Sequence, residues 1–499
     1  MILQGLLEVL QPMTIVLVAI GTAVGIIFGS IPGLTATMAI VMFLPVTYSM
    51  TASEGISMLM ALYIGGISGG LISAILLNIP GTPSSVATCF DGKPLADKGE
   101  AGKALGTGVV FSFVGTIIGI GLLMILAPVL CDFALKFQAY EYCALAVFSL
   151  SMVIALTGHD MPKGLISAVL GALLATVGLA PIDSKPRFTF GLYQLNNGFA
   201  LVVLLIGLFA IAEVMAYAET VRQKQDFTIR SNVKIKGVGF TFKEFVGQLR
   251  NAVVSALIGV GIGILPGIGG GVSCMISYTV SKNTSKRREL YGTGIMDGVV
   301  ASETANNGTI GGAMIPLLTL GIPGDSVTAI MLGALMMQGI APGPLLFTTQ
   351  TVKVYTIIIA LFVSNVFMCL LGYGAIRIFS KISLVPAKWL NPLVFVFCTV
   401  GTFAINNNMG DVVLMIGAGI VGYVLIKLDF CMPPIILGLI LSDTVESNLR
   451  RTLVLSDGSL RIFLTHPIAL ALLAVAAVSL LSPIILKFWK GRSAKSAEK

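Results

Sequence analysis

LNIPGTPSS, residues 77–85, interrupts an oily chain: the run YIGGISGGLISAILL (63–77) leads straight into it. A second interruption of the same kind, LTLGIPGDSVT (318–328), follows TIGGAMIPL (309–317) in the other half of the sequence. Proline removes a backbone donor and clashes with the preceding helical turn. Glycine reaches backbone angles other residues avoid and lets a ligand approach the main chain. Thr82 and Asp325 then stand where an N-cap would restart a helix. The reading is a discontinuous helix whose free N–H groups and positive dipole end favour an anion, while carbonyls of the preceding helix end can hold Na+. One isolated Pro-Gly reads as an ordinary kink in a membrane helix. Two matching breaks flanked by Thr, Ser, Asn and Asp, one in each half, point instead to a binding site inside the bilayer, as transporters build it.

The composition places those breaks in a membrane. The chain has 499 residues, 56% hydrophobic and 11% charged, with a mean hydropathy of +0.96; soluble domains carry about 25% charged residues. Backbone in lipid must satisfy its hydrogen bonds internally, and alternating ten-residue strands are absent. The expectation is an all-α integral membrane protein of about ten to thirteen transmembrane or re-entrant helices. MILQGLLEVLQPMTIVLVAIGTAVGIIFG lacks the positive start of a signal peptide and reads as a retained first helix. The net charge of +8 sits in loops and the tail, so it reports topology and not nucleic acid. Arg222, Lys224, Arg230, Lys234, Lys236, Lys243 and Arg250 form a basic centre, and Lys487, Lys490, Arg492, Lys495 and Lys499 a basic tail. Both are expected on the cytoplasmic side of the membrane. The seven cysteines are scattered without a CxxC pair and read as buried free thiols.

The halves repeat. Gly29-Ser30-Ile31-Pro32-Gly33 is echoed 234 positions later by Gly263-Ile264-Leu265-Pro266-Gly267. Ser68-Gly69-Gly70 leading to Ile79-Pro80-Gly81 is echoed by Ile310-Gly311-Gly312 leading to Ile322-Pro323-Gly324, with Ile79 and Ile322 243 positions apart. The organisation read from this is a first membrane repeat at 1–220, a basic linker at 221–247, a second repeat at 248–442, and a polar loop, last helix and tail at 443–499. An odd span count in the first half would make the repeats inverted, and inversion is the expectation.

Candidate substrate-binding residues follow from the breaks: Pro32, Gly33, Thr35, Asn78, Pro80, Gly81, Thr82, Ser84 and Ser85 in the first half, and Gly267, Gly269, Gly270, Ser273, Gly324 and Ser326 in the second. Asp325, Asn306, Asn307 and Thr309 are the candidates for cation coupling, with Na+ at Asp325 and Asn306, because an ionisable residue at membrane depth is costly and usually functional. Glu54, Asp297 and Glu303 read as residues of the membrane edge, and Asn406-Asn407-Asn408 as caps of a short loop.

These residues resemble the large membrane subunit, TctA, of the tripartite tricarboxylate transporter family. The resemblance is carried by GSIPGLTATMAIVMFLPVTY (29–48), GGLISAILLNIPGTPSSVATCFDGKPLADKGEAGKALG (69–106), GILPGIGGG (263–271) and IPGDSVTAIMLGALMMQGIAPGPLLF (322–347). It implies a permease, a small TctB-like membrane partner, a periplasmic TctC-like solute-binding protein, and uptake of citrate or another carboxylate with Na+ or H+ as coupling ion and no other cofactor. Some citrate-carrying relatives have a basic residue after the Gly-Gly at 69–70; here it is Leu71, which leaves tricarboxylates, dicarboxylates and other small organic acids open.

Rival classes find less in the sequence. Gly102-Lys103 lacks the surrounding P-loop pattern. Gly66-Ile67-Ser68-Gly69 matches an intramembrane serine-protease motif, but such a serine needs a histidine base, and His159 and His466 both read as helix-end residues. A channel is the remaining alternative. The chain is expected not to be an enzyme.

Overall fold

Apolar segments separated by glycine, proline and short polar turns leave little room for sheet, and helices dominate the computed structural model, which describes residues 1–156, 160–192, 195–220, 239–374, 378 and 387–481. The basic residues from Arg222 to Lys236, the tail from Lys487 onward and His159 lie outside the described residues. The helices are α1 (Ile2–Val9), α2 (Pro12–Ser30), α3 (Ala36–Thr47), α4 (Ala52–Leu77), α5 (Val86–Leu95), α6 (Ala101–Ala134), α7 (Ala139–Leu156), α8 (Met161–Ala175) and α9 (Leu201–Glu219). There follow α10 (Phe242–Gly263), α11 (Gly269–Thr284), α12 (Met296–Leu320), α13 (Ser326–Met337), α14 (Thr351–Gly374), α15 (Ala387–Asn406), α16 (Met409–Lys427) and α17 (Met432–Leu455). Among the described residues the one sheet is a two-stranded antiparallel pair, Gly178–Leu179 with Pro186–Arg187.

Among the described residues seven helices are long and apolar enough to cross a membrane, and six shorter apolar helices of 10–17 residues accompany them. The chain is an all-α, multi-pass membrane protein. Helix α12 is not among the seven, because its Glu, Asn and Thr residues lower its hydropathy. Yet of its 25 residues all but Asp297 and Leu320 are buried. A polar helix is sheltered where apolar ones face outward.

The chain forms two compact units. One comprises Met1–Asp132, Val202–Ile264 and Ile268–Tyr423; the other comprises Phe133–Leu201, Leu265–Gly267 and Val424–Lys499. In the smaller unit α8 and α17 cross where Gly171 lies against the Ile435 carbonyl and Gly438 against that of Ala168. Arg187 there bonds Glu446 at 2.8 and 2.9 Å.

Within the larger unit the two sequence repeats fold alike. α2 lies along α4 as α10 lies along α12. Helix α4 ends on Asn78 and α12 on Gly321, both in the left-handed region at φ 58° and 69°. At each following Pro-Gly break the chain runs so close to an earlier helix of the same half, α2 or α10, that only glycine fits. A Cβ at Gly81 would stand 2.1 Å from the Gly29 carbonyl oxygen, and one at Gly324 2.4 Å from that of Gly263. Small residues let membrane helices approach backbone to backbone in this way.

Candidate functional site

Three of the four helix starts that follow the breaks are closed by their own side chains. Thr35 caps α3, accepting from the Met38 N–H at 3.2 Å while its hydroxyl donates to Glu213 at 3.3 Å. The Thr82 N–H donates to Ser85 Oγ at 3.2 Å, and the Thr82 and Ser84 hydroxyls meet at 3.0 Å. Asp325 caps α13: its Oδ1 accepts from the Thr328 N–H and hydroxyl, both at 2.7 Å, and its Oδ2 from Tyr63 Oη at 2.8 Å. The fourth start is different. Helix α11 begins at Gly269-Gly270-Gly271 with no side-chain cap, so its first N–H groups keep the free donors and positive dipole of an anion site.

The larger unit brings both repeats to that uncapped start. A Cβ placed on Gly270 would lie 2.7 Å from Asn306 Oδ1 and 2.9 Å from the Ser84 Cβ. One on Gly269, which sits at φ +68°, would lie 3.2 Å from the Asp325 Cβ. Ser273, one turn into α11, shares a 2.7 Å hydrogen bond with Thr309. Thus Ser84 from the first break and Asn306, Thr309 and Asp325 from the second repeat surround three glycines. Thr82, Ser84, Ser85, Ser273, Asn306, Asn307 and Thr309 are buried; Asp325 and Ser326 are half-buried.

Other predicted residues stand apart. Asn78 is exposed and ends α4. Pro32 and Gly33 form the turn before Thr35, with the Tyr217 ring against Gly33. Gly267 is grouped with the smaller unit, where Val153 and Leu437 line it. Pro80, Gly81 and Gly324 shape the breaks and offer no side-chain donor. The edge acids Glu54 and Asp297 have structural partners: Glu54 completes a capping box with Thr51, and Asp297 pairs with Arg287 at 3.0 Å. Asn406 and Asn408 bond Asp411 and the Gly410 N–H at the loop after α15.

Glu303 requires a correction. Where an edge acid would be exposed, it is wholly buried, eighth of the 25 residues of α12. Thr88 of α5 donates to its Oε1, and Ser112 of α6 donates to its Oε2 at 3.1 Å. Asn307 joins the same network, receiving Ser68 Oγ at 2.7 Å and donating to Ser112 Oγ at 2.8 Å. Asn306 contrasts with it: its amide oxygen has no hydrogen-bond partner, and its side chain lies beside the Glu303 carboxylate. Sequence reasoning named Glu303 only as an edge residue and missed Tyr63, Ser112 and Thr88. The signal for Glu303 was its spacing of three and four from Asn306 and Asn307, which puts all three on one helix face.

The rival motifs have ordinary partners. Ser68, of the GISG motif, gives its hydroxyl to Asn307, and Lys103 is held by Glu244 at 2.6 Å.

Comparison with known proteins places the chain in a family. The model of the tripartite tricarboxylate transporter TctA family matches residues 15–437. This chain belongs to that family. The TctA match spans both breaks and the whole polar core. An Agrobacterium vitis protein described as an uncharacterized 52.8 kDa protein in the TAR-I ttuC' 3' region is 37% identical over 474 residues, 94% of this chain and 93% of the relative. A second, described as an uncharacterized protein in the TAR-II ttuC' 3' region of the same organism, is 38% identical over 224 residues, 45% of this chain and 93% of the relative. No solved structure matches.

Proposed function

We propose that this TctA-family chain is the permease subunit of a binding-protein-dependent secondary transporter. It imports a small carboxylate, citrate or another tri- or dicarboxylate, down a cation gradient, with Na+ favoured over H+. A small TctB-like membrane subunit and a periplasmic TctC-like binding protein complete the system in the bacterial inner membrane, with the C-terminus cytoplasmic and the two repeats inverted. The chain catalyses no covalent chemistry.

The observation that carries this reading is the packing of Gly270 between Ser84 and Asn306. It joins both repeats at a helix start whose donors are free. A carboxylate group is held there by the N–H groups of Gly269, Gly270 and Gly271 and by the Ser84 hydroxyl. No side chain caps those donors, so the substrate oxygens are their natural partner. The coupling cation belongs among Asp325, Asn306, Asn307 and Thr309, and its charge offsets that of the anion in a region where an unpaired charge is costly.

The test is uptake of a labelled carboxylate panel by proteoliposomes that hold this chain and its membrane partner, supplied with the binding protein, with and without a sodium gradient. Gradient-dependent uptake of one acid is the expected result. Intact protein with all partners present and no uptake of any carboxylate would overturn the substrate class.

A further inference from the structure

The hydrogen-bond network around Glu303 has a direction. Asn307 Nδ2 donates to the Glu303 backbone carbonyl at 3.0 Å, which fixes the orientation of the amide. Its Oδ1 is therefore the acceptor for Ser68, and its Nδ2 also donates to Ser112. Ser112, having accepted there, turns its single hydroxyl hydrogen toward Glu303 Oε2. Thr88 donates to Oε1. Four side chains from four helices are thus aligned with their acceptor end on one carboxylate. Such a chain polarises cooperatively toward a negative group. Among the described residues no Lys, Arg or His pairs with Glu303, and a buried carboxylate without a counter-charge is strongly disfavoured.

A second observation identifies what is missing. Asn306, one turn further along α12 and 1% exposed, leaves its amide oxygen without a hydrogen-bond partner. Buried polar side chains rarely go unpaired. Its Oδ1 faces the glycine start of α11, where Gly270 contributes no side chain to fill the space. A carboxylate, an unused amide oxygen and the Thr88 hydroxyl oxygen are hard oxygen donors of the kind that small, hard cations select.

We propose that Glu303 and Asn306 form a sodium-ion site, with the Glu303 carboxylate supplying the charge and Asn306 Oδ1 and Thr88 Oγ1 supplying neutral oxygens. This rests on the cation-driven transport proposed above; of the residues named there it keeps Asn306, and it adds Glu303 and Thr88. The site adjoins the Gly270 junction through Asn306, so an ion bound there sits beside the place assigned to the substrate carboxylate. Each ligand then stabilises the other, which is the reciprocity that coupling needs.

The test needs no substrate. Full-length protein in detergent is titrated with NaCl against choline chloride at fixed pH, reading 22Na+ binding and the thermal unfolding midpoint. Wild type is expected to bind and be stabilised by Na+. Glu303→Gln and Asn306→Ala are expected to weaken the apparent affinity roughly ten- to hundredfold, the scale of a lost charged contact. Glu303→Asp keeps the charge and falls between, and it carries the test if Glu303→Gln does not fold. Gly121→Ala, with open space around the added methyl, is the control that keeps the wild-type response. A wild-type Na+ response retained by both Glu303→Gln and Asn306→Ala overturns the site and leaves sodium-driven transport standing. A wild type that responds to pH but not to Na+, or to neither, overturns the site and the sodium-driven reading together.

Discussion

Tyr63 and Asp325, 262 positions apart, are joined by a 2.8 Å hydrogen bond from the phenol to the carboxylate. It ties α4 of the first repeat to the helix restart of the second. Tyr63 is fully buried, and a bond to a charged acceptor contributes about 1.5–3 kcal/mol. Tyr63→Phe is expected to lower the unfolding midpoint in detergent by that order while the protein still inserts. An unchanged midpoint would mean that the bond contributes nothing. Asp325→Asn is a separate prediction: asparagine caps helices as well as aspartate, so insertion should be normal while gradient-driven uptake falls. Wild-type uptake in that variant would remove Asp325 from the mechanism.

Gly270 and Gly271 differ in how much room they leave. A methyl on Gly270 would meet Asn306 at 2.7 Å, and one on Gly271 would meet the Pro83 carbonyl oxygen at 3.3 Å. Gly270→Ala should therefore abolish uptake in a protein that still reaches the membrane, whereas Gly271→Ala should retain a measurable rate. Equal rates in the two variants would argue against a ligand position at the Ser84–Gly270–Asn306 junction.

Asp91 is wholly buried and gathers the loop before α12. Its Oδ1 accepts from the N–H groups of Gly292, Gly294 and Ile295 at 2.9, 2.9 and 3.0 Å, and its Oδ2 from Tyr278 Oη at 2.8 Å. Asp91→Ala strands four donors, so a loss of about 3–5 kcal/mol is expected, the range for breaking a buried charged network. Asp91→Asn keeps one oxygen for the loop and should cost less. Limited proteolysis across residues 290–296 reads the effect directly: cleavage should rise from wild type through Asn to Ala, and an Ala variant as resistant as wild type would contradict the anchor.

The two break glycines offer a test of the repeat itself. Gly81→Ala and Gly324→Ala each push a methyl into the carbonyl of the equivalent glycine, Gly29 or Gly263. Comparable destabilisation is expected from both, on the order of 1–3 kcal/mol as for other overpacked sites. Gly121→Ala, inside α6 with nothing nearby, should be neutral or stabilising by up to about 1 kcal/mol. A large loss at Gly81 with none at Gly324 would break the equivalence.

What the sequence reveals here depends on distance along the chain. The breaks at Pro80-Gly81 and Pro323-Gly324 are legible because proline and glycine act on their own backbone, and the capping role of Asp325 is legible because its partner Thr328 is three residues away. Glu303 reads as an edge residue because its partners Thr88 and Ser112 are 215 and 191 positions distant. The uncapped start of α11 is equally hidden: GIGGG announces a turn, but only the fold shows Ser84 and Asn306 brought against it. Polarity also misleads. The Glu and Asn residues that equip α12 for a site are what keep it out of a count by hydropathy.

The glycine carbonyl contacts between α2, α4 and the first break, and their counterparts in the second repeat, have a mechanical consequence. A contact between two main chains has no rotamers, so it cannot adapt by repacking, as a leucine-filled seam does. Each broken helix is keyed to its neighbour like a tongue in a groove. Any alternation of access must carry those helices together as blocks, with the bending confined to the breaks themselves.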